Sequence, residues 1–74
     1  MTGTVYYMMG LSDINIGKLE NSTYSTFNRH AGGWFESGYA FDQIVMGYAR
    51  VIPKAEVESR IQALFPDEDV KQWF

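Results

Sequence analysis

His30 is the only histidine in the 74-residue chain, and histidine is the side chain whose ordinary pKa suits proton transfer near neutrality. As a general base it needs a carboxylate to orient its ring and a nucleophile to activate. Serines and acids are present, but none sits in a G-x-S-x-G elbow or another arrangement that marks a nucleophile. The chain has no cysteine, which removes thiolate nucleophiles, sulfur-ligated metals and disulfides together. One histidine without cysteine leaves no convergent ligand set for zinc or iron. Asp67-Glu68-Asp69 offers hard oxygen ligands, yet lacks the spaced oxygens and trailing glutamate of a calcium loop, so it reads as helix-capping surface charge. Gly32-Gly33 and Gly47 match no phosphate-cradling pattern. The expectation is of no catalytic residues, no metal and no cofactor.

Recognition chemistry is better represented than reaction chemistry. Asn28, Arg29 and His30 precede Trp34 and Phe35, bringing one cation, amide donors and two rings close in sequence. Such a loop can stack on an unpaired base, and it can equally form a protein hot spot. The shortage of surrounding Lys and Arg favours protein over single-stranded nucleic acid. Trp73 and Phe74 lie beyond a proline, where rings left in water are unfavourable, so they are expected to dock on the domain's own sheet or on a partner subunit.

Charge is uneven along the chain. Up to residue 55 the acids and bases cancel, and the whole net charge of −3 arises beyond it. There Glu56, Glu58, Asp67, Glu68 and Asp69 face only Arg60 and Lys71. These carboxylates argue against generic phosphate-backbone binding and suit a larger protein, or protein complex, with a basic surface.

The composition bounds the rest. With 46% apolar and 16% aromatic residues the chain is too hydrophobic to be disordered, and its length allows one domain, residues 1–74. Five Tyr, five Phe and two Trp exceed what so small a core encloses easily, so some rings should be exposed or covered by a second chain, as in a homo-oligomer. No stretch reaches the roughly 18 apolar residues of a membrane span. The absence of cysteine and of a basic leader points to a reducing, cytoplasmic setting, in which the Asn21-Ser22-Thr23 acceptor triplet carries no meaning.

The elements that must position these residues follow from pattern. Thr4 to Met9 reads as a strand covered on both faces. Ser12 could cap a short helical turn holding Ile16 and Leu19, and Glu20 to Asn28 reads as an edge strand. Residues 29–33 form a loop. Residues 34–52 admit two readings. One is a helix capped by Ser37 with Phe41, Ile44, Val45 and Tyr48 on one face; the other is a hairpin of strands 34–41 and 44–52 about Asp42-Gln43. The hairpin is preferred because Gly38 and Gly47 weaken a helix. After Pro53, the spacing of Val57, Ile61 and Leu64 predicts a helix that Pro66 stops, followed by a last turn capped by Asp67.

The resulting expectation is an α+β fold, a small antiparallel sheet of about three or four strands packed against a C-terminal helix. Its function is expected to be non-catalytic protein binding, as an acidic inhibitor or adaptor. Single-stranded nucleic-acid binding and a structural homo-oligomer subunit are the alternatives.

Overall fold

The computed structural model of the protein describes residues 3–10 and 15–74. The domain is α+β: an antiparallel sheet of five strands, rather than three or four, with a helix on each face. The strands are β1 (Thr4–Met9), β2 (Asn15–Glu20), β3 (Thr23–Phe27), β4 (Trp34–Glu36) and β5 (Arg50–Ile52), in the order β4-β3-β2-β1-β5. Helix α1 (Gly38–Val45) joins β4 to β5, and α2 (Lys54–Leu64) follows β5. A 3-10 turn, Val70–Trp73, closes the described chain.

β1 is interior, as expected, with β2 on one side and β5 on the other. The helical turn expected around Ile16 and Leu19 is instead β2; the proposed cap, Ser12, lies outside the described residues. A tight turn decides this outcome. Asn21 and Ser22 both take positive φ, 51° and 64°, the backbone of a two-residue hairpin whose twist matches its strands. That turn pairs Glu20 with Thr23 and Leu19 with Tyr24, so β3 is an interior strand and not an edge.

The hairpin expected over residues 34–52 is also replaced. Only its two ends are strands, and they lie at opposite edges of the sheet. β4 and β5 run in the same direction, which a hairpin cannot produce. Crossing four strand spacings, about 19 Å, takes a connection, and α1 supplies about 12 Å of it. Asp42 and Gln43, poor turn residues, sit inside the helix. Ser37 Oγ accepts from the Ala40 amide and caps the start. At the end, Tyr48 N–H donates to the Gln43 carbonyl at 2.9 Å and Gly47 N–H to Ile44 at 3.2 Å, with Gly47 at φ +82°. This pattern terminates helices through a left-handed glycine, so Gly47 ends the helix instead of opposing it.

The two faces of the sheet differ. Tyr6, Met8, Ile16, Phe27 and Ile52 point to one side, where Val57 and Ile61 of α2 and Val70 complete the core. Trp34, Phe65 and Trp73 pack against this cluster. Val57 and Ile61 follow the expected stripe, but Leu64 is exposed and Phe65 at the helix end takes its place. Asp69, not Asp67, caps the final turn, accepting from the Lys71 amide. On the opposite side α1 approaches the sheet through Ala40, which is buried together with Met9, Gly17 and Thr26. Small residues permit this approach: a Cβ at Gly17 would stand 2.6 Å from Met9 Sδ.

Candidate functional site

The residues singled out for recognition separate into three places. Arg29 and His30 are exposed at the tip of the β3–β4 loop. Asn28 builds that loop, its side-chain oxygen accepting from the amides of His30 and Ala31, each at 3.0 Å. The Gly32 amide donates to the Asn28 carbonyl and the Asn28 amide to Gly33, with both glycines at positive φ. His30 is exposed, and among the described residues no hydroxyl or carboxylate hydrogen-bonds to its ring.

Trp34 and Trp73 serve the interior of the domain. The Trp34 indole donates to the Trp73 carbonyl at 2.8 Å, and both rings contact Phe27 edge-on. Phe74 touches Tyr6 and Trp34, leaving about a third of its surface exposed. Phe35, beside Trp34 in β4, points to the other side of the sheet and is exposed.

Three of the five C-terminal carboxylates have partners within the chain. Glu56 binds Arg60 at 2.9 Å, Glu58 lies 4.0 Å from Lys54, and Asp69 is a cap. Asp67 and Glu68 are exposed. Among the described residues no group of three His, Cys, Asp or Glu side chains is placed to hold a metal, and no helix is long and apolar enough to cross a membrane.

A cavity of about 520 Å³ opens beside the start of α2 between Tyr6, Lys18, Glu20, Lys54 and Phe74. Its charges are already committed. Lys18 pairs with Glu20 at 3.1 Å and lies over the Trp34 ring, Thr4 donates to Glu20 at 3.0 Å, and Lys54 lies over Phe74. Hydrogen bonds from Lys18 and then Thr4, with the Lys18 charge, hold the Glu20 carboxyl below its usual range. Burial, followed by the charges of Glu20 and Glu58, pushes the Tyr6 phenol above its usual value. A phenol so shifted stays protonated at neutral pH. In this cleft an ion pair within β2 and the Thr4 hydrogen bond tie β1 to β2, while Lys54 of α2 covers Phe74.

The most unusual surface is the α1 side of the sheet. Nine large hydrophobic residues are exposed among those described. Seven of them lie here: Tyr39, Phe41 and Val45 on α1, Met46 and Tyr48 in the turn after it, and Phe35 and Val51 on the two edge strands. Tyr48 and Val51 keep 68% and 67% of their surface open, high values for such side chains. Strand alternation explains the arrangement. Val5 and Tyr7 point away from the main core, as do their register partners Leu19 and Val51, and Leu19 is in turn opposite Tyr24. These side chains form an apolar row across four strands, from Val51 through Tyr7, Val5 and Leu19 to Tyr24. Phe41 continues it, its ring edge-on to Tyr24 at 5.1 Å. Shallow depressions of about 360 and 380 Å³ flank Tyr24 on either side.

The sequence reading foresaw a surplus of rings and the strand β1, but it took β2 for a helical turn and residues 34–52 for a hairpin, so this row was not visible in it. The available signal was the alternation of Val5 and Tyr7 with Tyr6 and Met8, which gives β1 two apolar faces. Comparison with known protein families, curated proteins and solved structures finds no match to the chain.

Proposed function

We propose that the protein is a non-catalytic interaction module whose docking surface is the α1 side of the sheet. One observation carries this reading: among the described residues, seven of the nine exposed large hydrophobic side chains belong to α1, the turn after it and the two edge strands, on the side where the half-buried row of Tyr7, Val5, Leu19 and Tyr24 also lies. Monomeric domains seldom leave contiguous apolar areas beyond a few hundred Å², and larger ones mark docking sites. Tyr and Phe, rigid for their size, bind at low entropic cost. The row and the exposed side of α1 contain no Lys or Arg to meet phosphates, which favours a protein partner over nucleic acid. The opposite face, with its ion-paired carboxylates and Trp cluster, serves mainly to stabilise the domain.

Site-directed photo-cross-linking in the native host tests the assignment. A benzophenone amino acid at position 41 or 48 should give a discrete protein adduct, whether with another protein or with a second copy. The same probe at position 63, exposed on the outer side of α2, should give none. Val51→Lys should abolish the adducts from positions 41 and 48. Equal labelling from position 63, or no adduct from 41 and 48, would remove the proposal.

A further inference from the structure

We infer that the occupant of the α1 face is a second copy of this chain, bound by two-fold symmetric packing of each α1 onto the other's half-buried sheet row. The inference rests on the docking-surface reading above and names its partner. Helix α1 buries only Ala40 fully against the sheet and leaves the large apolar side chains of Tyr39, Phe41 and Val45 exposed, with Asp42 its one charged residue. A helix of that composition belongs between two layers, not at a water boundary. Beside it, the sheet is about 19 Å wide, while one helix covers about 10 Å. The row of Tyr7, Val5 and Leu19 is therefore a berth for a second helix, and the described residues supply no further helix on that side.

Knob and berth are both present in one chain, the condition for an isologous interface in which each copy supplies what the other lacks. The area agrees. Seven side chains, each about half exposed, offer on the order of 700 Å² per copy, close to the roughly 800 Å² that a standard specific interface buries on each side. The near absence of charge points the same way. A foreign partner selected for specificity would be met by charged rim residues, whereas this surface matches another apolar surface like itself.

Sedimentation velocity on the intact chain tests the inference. At about 100 µM the protein should sediment at twice its 8.5 kDa mass. Val45→Lys and Val51→Lys, both at exposed positions, should each weaken the dimer at least about 100-fold, whereas Ala63→Lys should leave it intact. Both tryptophans lie on the opposite face, so their emission reports that each variant is folded. The decisive pair is Phe41→Lys and Leu19→Glu. Each alone should be monomeric, and mixing them should restore a heterodimer, because helix position 41 of one copy meets sheet position 19 of the other. A monomer at this concentration, a dimer indifferent to Val45→Lys and Val51→Lys, or a failure of the mixed pair to associate would overturn the inference. A monomer that still gives the position-41 adduct with another protein overturns the dimer alone; a monomer with no adduct overturns the docking surface as well.

Discussion

The Trp34 indole N–H donates to the main-chain carbonyl of Trp73 across 39 residues of chain, at 2.8 Å. This bond ties an edge strand to the final turn, and Phe27 lies against both rings. Trp73→Ala removes contacts with Phe27 and Phe65 and should cost about 3–5 kcal/mol, most of the stability available to a domain of this size. Trp34→Phe keeps a ring but deletes the donor, for about 1–3 kcal/mol through the orphaned carbonyl. Urea denaturation followed by circular dichroism measures both. Equal losses would mean that the hydrogen bond, not ring packing, dominates.

The loop that presents Arg29 and His30 leans on the same ring. A Cβ at Gly32 would overlap the Trp73 indole, and the residue's φ of +85° disfavours any L side chain. Gly32→Ala should therefore destabilise by about 2 kcal/mol or more. Gly33→Ala, which shares the positive φ but has only a contact at 4.0 Å, should cost less in the same denaturation series.

Met9 and Gly17 form a matched pair beneath α1. Gly17→Ala should cost about 1–3 kcal/mol, because the new methyl meets a fully buried thioether. In a Met9→Ala background the same substitution should cost less. A double-mutant cycle with no coupling would contradict the close packing.

Thr26 carries a buried hydroxyl that has no hydrogen-bond partner among the described residues. Thr26→Val keeps the shape and the β-branch while removing the unsatisfied group, and should stabilise the protein by about 1 kcal/mol. A raised urea midpoint with an unchanged slope is the expected result.

Glu20 and Tyr6 contribute to opposite limbs of the stability–pH curve. The Glu20 pKa is lowered on folding, so its contribution is full above the ordinary value of 4.5 and is lost as pH falls through the folded value. Glu20→Gln should flatten that acid limb. The Tyr6 pKa is raised above 10.0, so its contribution is present below that pH and fades as pH rises through the folded value. Tyr6→Phe should flatten the alkaline limb alone. Urea midpoints measured across pH separate the two.

What the sequence alone determined were the features whose signals are local. β1 was legible as a short run of apolar and β-branched residues, and α2 from the proline before it, the Val57–Ile61 spacing and the proline after it. The Arg29–His30 loop was legible from its glycines. Only the tertiary structure decided residues 34–52 and the docking face. Gly47 looks like an interruption in sequence, yet it is a helix terminator once Tyr48 and Gly47 bond back to Gln43 and Ile44. Phe35 and Trp34 are neighbours of the same type, but one is exposed and the other packs on the core, because strand alternation acts only when register is set. Register depends on hydrogen bonds between strands distant in sequence. Which rings face water is therefore a property of the assembled sheet.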